Sequence, residues 1–162
     1  MFRQDGFSYI GVMVTLVIAA IGMQGAAVIW QQQSQRSHEA QLLETGEAYR
    51  LAIGRYYEFT PQPVKQYPVR LDELIEDKRF PVPKRHLRKL YADPFAVKQG
   101  MTLVIRDGRI VGVHSQSLLA PIRSSGYQES QSGFHGAKHY REWLFVYEPN
   151  TLADLEQAWV NR

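Results

Sequence analysis

Two histidines, His135 and His139, stand four residues apart in the stretch HGAKH. On a helix that spacing would place both imidazoles on one face, where they could hold a zinc-like ion. Gly133 and Gly136 argue instead for a loop, and no third ligand stands at a recognisable spacing. The pair reads as solvated loop histidines, and no metal or other cofactor is expected. His114 and His86 read as packing or surface residues. Asp72-Glu73 could serve as paired carboxylates for acid–base chemistry, but they open a short amphipathic pattern and read as its solvated face. The chain has no cysteine, P-loop, GxGxxG, GxSxG or HExxH pattern. The expectation is a protein that is not an enzyme.

The densest charge cluster is Lys78, Arg79, Lys84, Arg85, Arg88 and Lys89. A basic patch is the electrostatic footprint expected for phosphate backbones. No helix-turn-helix pattern or row of interleaved aromatics accompanies it, and the net charge of the 162-residue chain is only +3. DNA is therefore the weaker reading. A solvated face, or a contact with acidic residues of a neighbouring subunit, is the stronger one.

These residues depend on what comes before them. Phe7 to Trp30 contains no Asp, Glu, Lys, Arg or Pro. As a helix it would span roughly 36 Å, enough to cross a ~30 Å hydrocarbon core. Trp30 suits the far interface, and Arg3 before the run places the N-terminus on the cytoplasmic side. A secretion signal would have a shorter apolar core and a polar region before its cleavage site. Here the run continues past Gly25-Ala26-Ala27 through Val28, Ile29 and Trp30.

A short polar leader, MFRQDG, ends in Gly6, and Phe7, Ser8, Tyr9 and Ile10 open the apolar stretch at once. This junction resembles the class III signal of type IV pilins and type II secretion pseudopilins. The resemblance implies that a prepilin peptidase cuts between Gly6 and Phe7 and that Phe7 becomes an N-methylated terminus. It also implies that the apolar helix packs with other pilins or pseudopilins in a filament. The chain departs from the family pattern at Gly11, where a Glu usually stands. In the family that carboxylate is thought to pair with a neighbouring subunit's amine, so Gly11 implies a minor or atypical subunit.

The helical pattern continues beyond Trp30. Leu42, Thr45, Tyr49, Ala52, Ile53, Tyr56 and Phe59 recur at three- and four-residue steps. Arg36, Glu39, Glu47, Arg50, Arg55 and Glu58 fall mostly elsewhere. The helix should end near Thr60 to Pro63, after roughly 80 Å at ~1.5 Å per residue. Further on, Tyr67-Pro68, Leu71, Leu74 and Asp93-Pro94 occur in the order seen in major pseudopilins, so the resemblance covers about residues 1–95. Phe95-Ala96 replaces that family's Trp-Gly, and its calcium loop has no clear counterpart.

Short helices are predicted around Leu71, Leu74 and Ile75 and around Leu87, Leu90 and Tyr91. MTLVIRDGRIVGVHS predicts a hairpin with a type I′ turn at Asp107-Gly108. Ile105 then opposes Ile110, Leu103 opposes Gly112, and Arg106 opposes Arg109. Like charges facing each other prefer water, so the Leu103/Ile105/Ile110 face should pack on the long helix, with Gly112 permitting close approach. WLFVYEP at 143–149 should add a strand, residues 115–142 should form a long loop, and NTLADLEQAWV should form a C-terminal helix.

The expected fold class is α+β: a pilin-like lollipop, with a long N-terminal helix, transmembrane in its first half, packed on a small antiparallel sheet with short flanking helices. The expected organisation is a leader at 1–6, a transmembrane half-helix at 7–30, an amphipathic periplasmic half at 31–59 and a head at 60–162. The location would be the bacterial inner membrane, single-pass, with the head periplasmic. Expected partners are prepilin peptidase, other pseudopilins or pilins, and membrane lipid. A Sec-exported or membrane-anchored binding protein, or a DNA-binding minor pilin, are the competing readings.

Overall fold

The structure is a computed structural model that describes residues 7–61 and 63–149, without the side chains of 7, 8, 21–29, 97, 98 and 129. The predicted C-terminal helix lies outside the described residues. The fold is mixed, with helix and small antiparallel sheets. The chain divides into two compact units, Met1–Ser37 and His38–Arg162. Helix α1, Phe7–Glu58, runs without interruption through 52 residues.

In the second unit, the predicted stripe of α1 forms one side of the core. Leu42, Thr45, Tyr49, Ala52, Ile53 and Tyr56 are all buried, while Phe59, just past the helix, is exposed. Two residues expected off the stripe are buried as well. Glu39 accepts hydrogen bonds from chain that arrives later, and Arg50 is held by Glu47 at 2.6 Å. The core therefore covers more of α1 than its apolar stripe.

Strands β1 (Ala92–Asp93) and β2 (Ala96–Gly100) form a short antiparallel ribbon. Strands β3 (Thr102–Arg106), β4 (Arg109–His114) and β5 (Phe145–Val146) form a sheet in the order β3-β4-β5. Asp107 and Gly108 have φ of 53° and 72°, the pair of positive values that a type I′ turn requires. Ile105 pairs with Ile110 and Arg106 with Arg109, as expected.

The next pair departs from expectation. Val111 is an extra residue, so Val104 rather than Leu103 faces Gly112, and Leu103 faces Val113. Such a bulge shifts the register by one and interrupts the alternation of faces. Strand β4 is central, and Ile110, Val111, Gly112 and Val113 are all buried. Strand β3 is an edge. Ile105 is 61% exposed against 2% for its partner Ile110, so the Leu103/Ile105 side does not pack on the helix.

Gly112 does permit a close approach, but to β5: a Cβ there would lie 2.4 Å from the Phe145 carbonyl oxygen. The two glycines within the second-unit part of α1 have the same cause. A Cβ on Gly46 would fall 2.4 Å from the Phe145 ring, and one on Gly54 would fall 2.6 Å from the Tyr147 ring. The strand predicted over 143–149 narrows to Phe145–Val146, and its aromatic residues rest directly on helix backbone.

Three further segments differ from expectation. The predicted helix at Leu71–Ile75 is a single 3₁₀ turn, Leu71–Leu74. The basic stretch around Leu87, Leu90 and Tyr91 is not helical. An isolated antiparallel bridge between Asp77 and Lys84 and bonds from the His86 and Leu87 amides to the Leu74 carbonyl hold it as irregular, bent chain. Pro81 and Pro83 favour this outcome, since proline lacks the amide a helix needs. The segment 115–142 is not simply a loop. It holds 3₁₀ turns at Glu129–Phe134 and Tyr140–Glu142, and Phe134 stacks on Trp143 at 5.1 Å.

Candidate functional site

Two regions carry the residues singled out from the sequence. The first is the start of α1. Gly6 lies outside the described residues, and α1 begins at Phe7. Side chains from Tyr9 to Ala20 are exposed, among them Ile10, Val14, Leu16 and Ile18, and Trp30 is 83% exposed. Among the described residues no helix is long and apolar enough to cross a membrane. The side chains of 21–29, most of the second half of the predicted span, lie outside that description. At Gly11 a Cβ would meet nothing within 4 Å, and the Gly11 carbonyl accepts a 2.8 Å hydrogen bond from Thr15 Oγ1. Among the described residues no contact within the chain requires glycine there.

The second region is the basic segment. Its six residues do not act as one patch. Lys78 is exposed and lies 3.6 Å from Glu76. Arg79 turns inward: its Nε and Nη2 donate to the Asp77 carboxylate at 2.8 and 2.7 Å, and Nη2 also donates to the Tyr56 carbonyl at 2.8 Å. The guanidinium carbon stands 3.4 Å from the Tyr56 ring centre. Arg79 is therefore half-buried, with its guanidinium tied to Asp77 and Tyr56. Lys84 lies over Phe80 at 4.3 Å and Phe59 at 5.2 Å. Arg85, Arg88 and Lys89 remain exposed, joined by Arg55 of α1, which sequence reasoning had assigned only to a polar face.

Asp77 is the anchor of this region. It is 1% exposed and accepts from Arg79 and, at 3.0 Å, from His86 Nε2. Burial alone would raise its pKa. The hydrogen bonds from the Arg79 side chain, from His86 and from the Arg79 amide outweigh burial and hold the carboxyl at about 2. Burial lowers the pKa of His86, against the pull of Asp77, so the imidazole is neutral and donates from Nε2 to the carboxylate. Burial, then the hydrogen-bonded Glu73 carboxylate 2.6 Å away, push the Tyr56 hydroxyl well above its usual range. The arrangement is a latch. Asp77 grips Arg79, and Arg79 grips the carbonyl at the end of α1. The acid and the histidine were both legible as residues, but nothing in their spacing showed that the bridge at Lys84 would fold one back on the other.

The two histidines of HGAKH have separate partners. His135 packs edge-on to Tyr127 at 4.9 Å, and His139 Nδ1 lies 2.6 Å from the Leu118 carbonyl. Among the described residues no group of three His, Cys, Asp or Glu is placed to hold a metal ion. Asp72 pairs with Arg70 at the surface, while Glu73 faces Tyr56. No protein-family model, characterised protein or solved structure matches this chain.

Proposed function

We propose that this chain is a structural subunit, a minor or atypical pseudopilin, of a type II secretion or type IV pilus-like filament. On this reading prepilin peptidase removes residues 1–6, the segment from Phe7 to Trp30 sits in the inner membrane and then among neighbouring helices, and the rest faces the periplasm. One observation carries the proposal. A single helix, Phe7–Glu58, exposes apolar side chains near its start and carries a buried core stripe near its end. Exposed apolar surface of that extent calls for lipid or protein to cover it. The Gly6-Phe7 junction supports the processing step, and Gly11 supports a role other than bulk polymerisation. A charge deep in a bilayer is tolerated only when paired, so losing the carboxylate removes a docking drive as well as a cost.

The absence of cysteine makes the proposal directly testable. Single cysteines at Val14 or Leu16, expressed with a filament-assembly system, should cross-link to other subunits in the membrane fraction. A protein that fractionates with the soluble periplasm and forms no such cross-links would overturn the proposal.

A further inference from the structure

Arg55 from α1 and Arg85, His86 and Arg88 from the basic segment, with Ala48 and Tyr91, line a cavity of about 460 Å³. That volume falls within the range of small-ligand sites. No acidic residue lines it, and among the described residues neither Arg85 nor Arg88 has an ion-pair partner. Lys89 Nζ, outside the lining, lies 5.6 Å from the centre of the Tyr91 ring.

The walls are tied to α1. Arg55 Nη2 donates to the His86 carbonyl at 2.9 Å. The Tyr49 hydroxyl donates to the Tyr91 carbonyl at 3.0 Å and accepts from the Tyr91 amide at 2.8 Å. His86 is fixed from behind by Asp77. Guanidinium groups gathered without a counter-charge repel each other, and a bound anion relieves that repulsion. Guanidinium forks match carboxylate and phosphate alike. Three forks from two separate segments exceed what the two oxygens of one planar carboxylate can satisfy, whereas a tetrahedral phosphate offers acceptors in several directions.

We propose that this pocket binds the phosphate group of a small phosphorylated ligand. The site is independent of the filament reading and would stand if that reading failed. The remaining volume and the Tyr91 side chain leave room for an organic group attached to the phosphate.

The test is calorimetric titration of the full-length chain, in mild non-ionic detergent and chloride buffer, with inorganic pyrophosphate. Saturable one-to-one binding is expected, weakened about a hundredfold in the Arg85→Ala/Arg88→Ala double variant, since each of the two charge-assisted forks removed is worth on the order of a tenfold change. Lys78→Ala, which removes an equally exposed charge outside the pocket, should leave the affinity unchanged. Near-ultraviolet circular dichroism checks the fold. Should the alanine variant be misfolded, Arg85→Lys/Arg88→Lys keeps both charges and should bind several-fold more weakly than the native chain. Native affinity in the lysine variant, an equal loss in Lys78→Ala, or no saturable pyrophosphate binding would each overturn the site. So would binding confined to duplex DNA or to vesicles of anionic phospholipid.

Discussion

The Tyr140 hydroxyl donates a 2.7 Å hydrogen bond to Glu39 Oε2, joining residues 101 positions apart. The same carboxylate accepts from the backbone amides of Ile122 at 2.8 Å and Arg123 at 3.1 Å. One acidic side chain on α1 thus collects the segment after β4 and the 3₁₀ turn before β5. Hydrogen bonds to a buried charge are each worth about 1.5–3 kcal/mol, and donors left without a partner cost about as much. Glu39→Ala should therefore destabilise the second unit by about 3 kcal/mol, and Tyr140→Phe by about 1–2 kcal/mol. Urea denaturation followed by near-ultraviolet circular dichroism measures both. Equal stability of Glu39→Ala and native chain would refute this role.

The glycines of α1 should respond differently to the same substitution. At Gly46 a Cβ would lie 2.4 Å from a fully buried phenylalanine ring, and at Gly54 2.6 Å from the Tyr147 ring. Overpacking of this kind costs about 1–3 kcal/mol, more than the roughly 1 kcal/mol that alanine gains in helix propensity. Gly46→Ala and Gly54→Ala should lower the midpoint of unfolding. Gly11→Ala meets no neighbour among the described residues and should not lower that midpoint.

Acid should weaken the latch in two stages. The pKa of His86 is lowered in the folded chain, so the unfolded chain takes up the proton first as pH falls below about 6.5. Stability from the neutral buried imidazole is complete above that value and declines below it. Asp77 has its folded pKa depressed to about 2 from 3.8, so its contribution is present above about 4 and is lost as pH falls toward 2. His86→Gln should flatten the decline between pH 7 and 5 and leave the steeper acid limb in place. A native profile without slope between pH 7 and 5 would contradict the buried neutral imidazole.

Much of this arrangement was open to inspection in the sequence, for identifiable reasons. The stripe from Leu42 to Tyr56 obeys helical periodicity, and Asp107-Gly108 is a local turn signal, so both were readable from near neighbours. Glu39 and Arg79 were not. Each is charged, and each is drawn inward by its partners, distant in sequence for Glu39 and the nearby Asp77 for Arg79. The bulge at Val111 was also hidden, since one extra residue leaves no mark on composition, and it moved Leu103 from Gly112 to Val113. Nothing near Gly46 and Gly54 in the sequence shows that Phe145 of β5 and Tyr147 just after it fill the space beside them. In the basic stretch, net charge was visible. The division between an inward Arg79 and outward Arg85 and Arg88 depended on the Asp77–Lys84 bridge.

Gly11 offers a separate test of the subunit's role. Among the described residues no neighbour within the chain crowds the position, so Gly11→Glu should leave the fold of the second unit intact. If the missing carboxylate is what keeps the chain from bulk assembly, the variant should enter sheared filaments in severalfold greater amount than the native chain. Quantitative immunoblotting of filament fractions reads this. An unchanged or reduced proportion would mean that the glycine does not limit incorporation.

The most direct measurement is the mass of the mature N-terminus after co-expression with a prepilin peptidase. The native chain should lose MFRQDG and begin with an N-methylated Phe7, and Gly6→Ala should retain the six residues. An unprocessed native chain, or one cut instead near Ala27-Val28, would contradict the account.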